Sequence, residues 1–89
     1  MVSWAVELSE DAEHDLAQLD RSVRRRIIDK LEWLGKNFEL TSPLSLGTGY
    51  KEFYKLRVGD WRIIYKADWK NLAIVVGYIR HRSKAYKNR

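Results

Sequence analysis

The sequence predicts an α+β fold: an N-terminal strand, an antiparallel helical hairpin and a three-stranded antiparallel meander, with the helices packed on one face of the sheet. Apolar and polar residues alternate at the N-terminus and through much of the second half, as in strands that bury one face. Between these stretches, apolar residues recur every three or four positions, as in amphipathic helices. The predicted order is therefore β-α-α-β-β-β.

The first half of the chain supplies one strand and two helices. The strand is predicted over residues 2–8, where every second residue is apolar. Ser9, followed by two acidic residues, predicts the N-cap of a short helix, and Asp20 is placed to cap the next one. The second helix has apolar residues at steps of four, four, three and four: Val23, Ile27, Leu31, Leu34 and Phe38. The two helices should form an antiparallel hairpin joined near Asp20.

The second half of the chain supplies a loop and three strands. Thr, Ser, Pro and Gly are frequent in residues 39–50, which predicts a loop. Strands are predicted at about 52–58, 61–67 and 72–80, with turns at residues 59–60 and 68–71. The third of these strands is apolar on both faces, as expected for a central strand. Residues 1–89 are predicted to form a single domain.

Composition narrows the class of protein. The chain has 89 residues, of which 45% are hydrophobic and four are Trp, which favours a folded globule. It has no Cys, which excludes disulfides, thiolate zinc sites and a cysteine nucleophile. No signal peptide is visible, and no apolar segment approaches a membrane span of roughly 20 residues. We therefore expect a soluble, cytoplasmic protein without a membrane partner.

Charge is distributed unevenly along the chain. Residues 1–49 carry 6 Lys/Arg and 9 Asp/Glu, a net charge of −3, whereas residues 50–89 carry 11 and 3, a net charge of +8. The predicted sheet therefore contributes a basic surface, which either binds an anionic partner or only keeps the protein soluble.

Four cationic residues are candidates for a phosphate-binding site. Lys55 and Arg57 share one face of their strand because side chains alternate along it. Arg80 ends the last strand and would lie beside Lys55 and Arg62 if the three strands pair in order. Cations that converge on one face repel each other unless an anion joins them, so the pattern favours a phosphate site. The alternative is a set of separate surface charges, each paired with a carboxylate such as Asp60 or Asp68.

Aromatic and histidine residues near the C-terminus add further candidates. Tyr86 either plugs the edge of the core or stacks on a nucleic-acid base. His81 lies between two arginines and is a candidate acceptor or base, but by parity it points away from Arg80. The two histidines are far apart and no HExxH motif occurs, so we expect neither a metal site nor a cofactor.

Two segments carry a family resemblance. Residues 54–65 (YKLRVGDWRIIY) and 79–86 (IRHRSKAY) resemble the RelE/ParE superfamily of toxins from prokaryotic toxin–antitoxin systems. The helical hairpin, the glycine-containing loop and the length also fit. The resemblance implies a RelE-like fold and one of two activities. RelE-like members are ribosome-dependent mRNA endoribonucleases, whereas ParE-like members inhibit DNA gyrase and are not known as nucleases.

The resemblance assigns catalytic roles to Lys55, Arg62, Arg80 and Tyr86. These positions match a lysine two residues before a strand arginine, an arginine at the start of the next strand, an arginine ending the last strand, and a tyrosine six residues later. Substrate binding is assigned to a further group: Lys51, Arg57, His81 and Arg82. Retention of the arginines and the tyrosine favours the RelE branch.

One position departs from the RelE pattern. A second lysine, two residues before the first, is replaced by Phe53, while Lys51 lies nearby on the same strand parity. The identity of the general base is therefore open between Lys55 and, as a fallback, His81.

The resemblance also implies a mechanism. The 2′-hydroxyl of mRNA in the ribosomal A site attacks the adjacent phosphate and leaves a 2′,3′-cyclic phosphate and a 5′-hydroxyl. No metal is needed because the nucleophile is intramolecular. Arg62 would stabilise the pentacovalent phosphate, Lys55 would stabilise charge or act as base, Arg80 would stabilise the leaving oxygen, and Tyr86 would orient the nucleotide.

The partners implied by the resemblance are the ribosome with its mRNA and a cognate antitoxin. An acidic, initially disordered segment of the antitoxin is expected to fold over the basic face. Operator DNA would be bound only through the antitoxin complex. A third possible role is regulation alone, in which the protein acts only in that operator-binding complex.

Overall fold

The computed structural model describes residues 2–41, 44–45 and 53–85. Its elements, in chain order, are β1 (Ala5–Leu8), α1 (Glu10–Ala17), α2 (Arg21–Asn37), a 3₁₀ helix (Phe38–Leu40), β2 (Leu44–Ser45), β3 (Phe53–Val58), β4 (Trp61–Asp68), β5 (Ala73–His81) and α3 (Arg82–Ala85). No described helix is long and apolar enough to span a membrane.

The strands form one sheet in the order β1-β5-β4-β3-β2. β3, β4 and β5 pair antiparallel, as the predicted meander requires, whereas β1 pairs parallel with β5. β5 therefore lies between β1 and β4, the interior position that its apolar sequence predicts. The predicted α+β fold class is confirmed.

The core lies between the helices and one face of the sheet. The predicted apolar stripe of α2 is buried at Ile27, Leu31 and Leu34, and Phe38 continues it into the 3₁₀ helix. The strands contribute alternate residues: Val58 from β3, Ile63 and Tyr65 from β4, and Ile74, Val76 and Ile79 from β5. The opposite face of the meander carries polar side chains such as Lys55 and Arg62, together with Ile64, which is 2% exposed.

A β-bulge at Gly77 changes which face the end of β5 presents. Ile64 of β4 lies opposite Tyr78, but the next residue, Tyr65, lies opposite Val76, so Gly77 is the extra residue. Val76 and Ile79 consequently both enter the core, although they are three residues apart. The same shift turns Tyr78 onto the face opposite the helices. Without the bulge, simple alternation would place Arg80 on the core side with Val76.

Several predicted boundaries shift by a few residues for identifiable reasons. β1 begins at Ala5 rather than residue 2, because the Trp4 N–H donates to the carbonyl of Gly35 in α2 and not to the sheet. Ser9 caps α1 as predicted, accepting from the Ala12 N–H at 3.0 Å. Asp20 precedes α2, but its side chain makes no capping hydrogen bond. The predicted loop at 39–50 includes part of the 3₁₀ helix and β2, a two-residue strand paired with β3.

The contact between α2 and β1 requires glycine at position 35. A Cβ at Gly35 would lie 2.7 Å from the Trp4 carbonyl oxygen and 3.2 Å from Cγ2 of Val6. The first contact is with backbone, so rotation of a side chain cannot relieve it. Gly35 therefore sets how closely the helix approaches the first strand.

We predict that Gly35→Ala destabilises the protein by about 1–3 kcal/mol, as other overpacked sites do. Helix propensity alone would give the opposite sign, because alanine is better than glycine by about 1 kcal/mol in a helix interior. Urea denaturation measures the change, and Lys36→Ala, at the exposed neighbouring position, is the control. A more stable Gly35→Ala protein would contradict the packing described.

A second prediction concerns Tyr65, which is 1% exposed. Burial, with a smaller contribution from Tyr54, raises the pKa of Tyr65 to about 12. Because the folded state favours the neutral phenol, this stabilisation is complete below the unfolded pKa of about 10 and is lost as pH rises through about 12. The free energy of unfolding should therefore fall more steeply between pH 10 and 12 in wild type than in Tyr65→Phe. Parallel curves for the two proteins would contradict the prediction.

Candidate phosphate-binding site

Three arginines lie in one row across the sheet. Arg57 of β3 is directly opposite Arg62 of β4, and Arg62 is directly opposite Arg80 of β5. Directly opposed residues on adjacent antiparallel strands have Cβ atoms about 4.5–5.5 Å apart, and like charges in such pairs are destabilising. The row therefore concentrates positive charge at the end of the sheet that carries the β3–β4 turn.

Lys55 lies one step further along the same face. It is opposite Ile64, which is opposite Tyr78, so Lys55 is diagonal to the arginine row rather than within it. Ile64, on this same face, is only 2% exposed. The sequence prediction that Lys55, Arg62 and Arg80 share a face agrees with this register.

Phe53, which stands where the RelE pattern has a second lysine, lies next along β3. It is opposite Lys66, and the Nζ of Lys66 is 5.4 Å from the centroid of the Phe53 ring. An ammonium group is therefore present beside this position, although it comes from the neighbouring strand.

The guanidinium of Arg62 is turned back onto its own hairpin. Its Nη1 donates to the carbonyls of Gly59, at 3.0 Å, and of Trp61, at 3.1 Å. Gly59 has a φ of +58°, which glycine adopts readily and which closes the two-residue turn. The Nε of Arg62 is buried and has no hydrogen-bond partner. Since an unsatisfied buried donor is unfavourable by about 1–3 kcal/mol, this conformation leaves Arg62 incompletely bonded.

The guanidinium of Arg80 is held by α1. Its Nη1 donates to Oδ2 of Asp15 at 2.5 Å and to the Ile79 carbonyl at 3.1 Å. The guanidinium carbon also lies 4.8 Å from the centroid of the Tyr78 ring. Sequence reasoning did not find Asp15, because nothing in the pattern of α1 distinguishes it from the other acidic residues of that helix.

The sequence left two alternatives for the cations, a phosphate site or separate charges that each pair with a carboxylate. Each alternative describes part of the structure. Arg80 pairs with Asp15, and Arg82 lies 3.9 Å from a carboxylate oxygen of Asp60. Among the residues that the structure describes, no carboxylate pairs with Arg57 or Arg62. The charge without a carboxylate partner therefore lies on the β3 and β4 side of the row, at Arg57 and Arg62.

Asp68, the other carboxylate considered as a partner, is engaged within its own turn. The side chain and backbone N–H groups of Asn71 donate to it, at 2.8 and 3.0 Å, and they lower the pKa of Asp68. It lies at the end of β4 remote from Arg62.

The remaining predicted residues are not part of the row. His81 lies opposite Trp61, with the two rings edge to face at 5.2 Å, and its Nδ1 lies 3.0 Å from Oγ of Ser83. His81 alternates with Arg80 along β5, but both residues line one cavity together with Asp15 and Trp61. Lys51 and Tyr86 lie outside the described residues.

A groove beside β3 extends the cationic surface. Arg57 lines it together with Arg26, Asp29, Lys30 and Trp33 of α2. Trp33 is 44% exposed, and the Nζ of Lys30 lies 4.2 Å from its ring centroid. Arg26 reaches the β3–β4 turn, where its Nη2 lies 2.8 Å from the position that a Cβ on Gly59 would occupy.

The family model for the ParE toxin of the type II toxin–antitoxin system parDE matches residues 6–86. The chain belongs to this family. The match covers α1, α2 and α3 and the three strands that carry the arginine row. The resemblance to the RelE/ParE superfamily is therefore confirmed, and the protein is a toxin of a type II system.

Solved structures similar to this toxin come from bacteria and archaea. The RelBE2 toxin–antitoxin complex of Mycobacterium tuberculosis matches with a TM-score of 0.82 and 21% identity, over 94% of this chain and 97% of the other. The isolated Escherichia coli RelE toxin matches with a TM-score of 0.78 and 15% identity, over 94% and 89%. The archaeal RelE–RelB complex of Pyrococcus horikoshii matches with a TM-score of 0.70 and 24% identity, over 94% and 100%. At these identities the likeness concerns the fold. None of the curated proteins compared matches the chain.

The chemistry available to the toxin at this face is electrostatic. Guanidinium groups stay charged across the physiological pH range and present several N–H donors in one plane, which suits a phosphate. Arg57, Arg62 and Arg80 lie opposite one another on three adjacent strands. The row therefore brings three arginine side chains together at one end of the sheet.

Proposed function

We propose that the toxin is a metal-independent endoribonuclease that cleaves mRNA in the ribosomal A site. The observation that carries this proposal is the row of Arg57, Arg62 and Arg80 in direct register on three strands. Charge on the phosphate increases as a 2′-hydroxyl attacks it, and fixed cations stabilise that transition state more than the ground state. A row of opposed guanidiniums is unfavourable without an anion and becomes favourable with one.

The proposed reaction is an intramolecular transesterification. The 2′-oxygen forms a bond to phosphorus, the bond from phosphorus to the 5′-oxygen breaks, the 2′-hydroxyl proton passes to a base, and the 5′-oxygen takes up a proton. The products are a 2′,3′-cyclic phosphate and a 5′-hydroxyl.

Each residue of the face has a place in this scheme. Arg62 binds the non-bridging phosphate oxygens, Arg80 stabilises the leaving oxygen, and Lys55 stabilises charge or accepts the proton. Tyr86 orients the nucleotide. The unsatisfied Nε of Arg62 supports its role, because a bound phosphate would offer this guanidinium better acceptors than the turn carbonyls do.

The proposed requirement for the ribosome also has a physical basis. In the free toxin the turn carbonyls occupy Arg62, and Asp15 occupies Arg80. A flexible RNA must displace or share these contacts and also adopt the bent geometry for attack. A substrate held in that geometry by the ribosome loses less entropy on binding, so cleavage of free RNA should be weak.

We further propose a cognate antitoxin as partner, consistent with membership in a type II toxin family. Its acidic segment would neutralise the arginine row, and operator DNA would be bound only through the complex. The proposed antitoxin and the proposed mRNA substrate would therefore bind the same basic face.

Inhibition of DNA gyrase is the second candidate function, and the match to the ParE family model favours it. A gyrase inhibitor would leave ribosome-bound mRNA intact while blocking DNA supercoiling. A supercoiling assay run beside the cleavage assay therefore separates the two functions.

We predict that Arg62→Ala and Arg80→Ala each slow cleavage of ribosome-bound mRNA by about 10²–10³-fold, the usual effect of removing one transition-state donor. Cut sites mapped on translating mRNA after induction should disappear with Arg80→Ala. Arg25→Ala is the matched control, since Arg25 is exposed on α2 and lies near Asp29 rather than in the row. Folded variants that remain fully active and toxic would contradict the assignment.

We also predict that binding to mRNA weakens steeply with salt. Each phosphate neutralised on a single strand contributes about −0.7 to the slope of log K against log salt, so three arginines give a slope of about −2. Arg57→Ala should reduce the magnitude of that slope by about 0.7, measured by fluorescence anisotropy with a labelled RNA. A flat salt response would indicate a target other than RNA.

A further inference from the structure

We propose that Asp15 is a positioning residue that sets the orientation of Arg80 for the reaction. This inference rests on the proposed function. Asp15 is on α1, and its side chain is 20% exposed. Its Oδ2 accepts from both Nη1 of Arg80, at 2.5 Å, and the backbone N–H of Ile79, at 2.9 Å. One carboxylate oxygen therefore binds the side chain of the arginine and the backbone next to it.

The position of Asp15 follows from the place where β1 stops. Leu8 is the last residue of β1 in register with β5, opposite Val76. Beyond that pair, the N-terminal end of α1 continues along the edge of β5. The Ser9 N–H donates to the Val76 carbonyl, and the Ser9 hydroxyl donates to the Gly77 carbonyl at 2.7 Å. Asp15 then accepts from Ile79, two residues further along.

These contacts surround the bulge that turns Arg80 onto the open face. Ser9 binds the bulged residue, Gly77, and Asp15 binds the residue before Arg80. The segment whose register decides the face of Arg80 is thus fixed from α1 as well as from β4. Asp15 contributes to where the Arg80 backbone lies and to where its side chain points.

Asp15 binds only Nη1 of the Arg80 guanidinium group. Nη1 is bonded to Asp15 and to the Ile79 carbonyl, and the Tyr78 ring lies 4.8 Å from the guanidinium carbon. An arginine has five N–H donors, so those on Nε and Nη2 remain for a phosphate. A guanidinium already fixed on one side loses less freedom when it binds. By this argument Asp15 acts through Arg80 and does not touch the substrate.

The competing explanation is that Asp15 only anchors α1 to β5. A double-mutant cycle separates the two roles, because an effect transmitted through Arg80 disappears when Arg80 is absent. Asp15→Asn is the suitable change, since the amide oxygen can still accept from the Ile79 N–H while the charged contact with Arg80 is lost. Asp11→Asn, at an exposed position on the same helix, removes an identical charge and is the control.

The experiment compares wild type, Asp15→Asn, Arg80→Ala and the double variant. Cleavage is measured in single turnovers on mRNA-programmed ribosomes with toxin in excess, so that slow rates are measurable. We expect Asp15→Asn to slow cleavage by about tenfold at saturation without changing the half-saturating concentration, and to have no effect in the Arg80→Ala background. Asp11→Asn should match wild type. Equal losses in both backgrounds, or a wild-type rate for Asp15→Asn, would overturn the inference.

The same four proteins distinguish failure of this inference from failure of the nuclease proposal. If wild type arrests growth but does not cleave mRNA, the nuclease proposal fails. Growth arrest is then the quantity compared in the double-mutant cycle. A loss of arrest with Asp15→Asn that vanishes in the Arg80→Ala background would still support positioning. Additive losses, or equal arrest by all four proteins, would overturn it.

Discussion

The antiparallel register of β3, β4 and β5 determines both which side chains form the core and which form the charged face of the sheet. It places Arg57, Arg62 and Arg80 opposite one another, an arrangement that mutual repulsion alone would disfavour. The same register places Ile63 and Ile79 in the core on the other face, where they are almost completely buried. Apolar burial on one face therefore stabilises a concentration of positive charge on the other.

The position of Arg80 in this register depends on the β-bulge in β5. An extra residue at Gly77 shifts the alternation of β5, so that the strand buries Ile79 and presents Arg80 on the open face. This shift occurs where β1 ends and α1 takes over the edge of the strand through Ser9 and Asp15. The short first strand and the helix that follows it thus have a direct part in arranging the proposed catalytic surface.

Much of this fold could be predicted from the sequence because its signals are local. The spacing of apolar residues identified α2, and alternation around residues 59–60 identified the β3–β4 hairpin together with the shared face of Lys55 and Arg62. The bulge left no such signal, since the sequence of β5 is apolar on both faces and one extra residue does not disturb a continuous apolar run. Asp15 and Arg80 are 65 residues apart, and only the packing of α1 against β5 brings them together. The sequence analysis placed Arg80 beside Lys55 and Arg62, but it did not include the bulge that turns Arg80 onto that face.

The most direct test of the central claim is a crystal structure of the toxin with a short RNA whose attacking 2′-hydroxyl is methylated, so that cleavage is blocked. We expect one phosphate bound at the centre of the row, with Arg62 turned from the Gly59 carbonyl to that phosphate and Arg80 still held by Asp15. An RNA bound elsewhere, with Arg62 unchanged and no phosphate within reach of Arg57, Arg62 and Arg80, would contradict it.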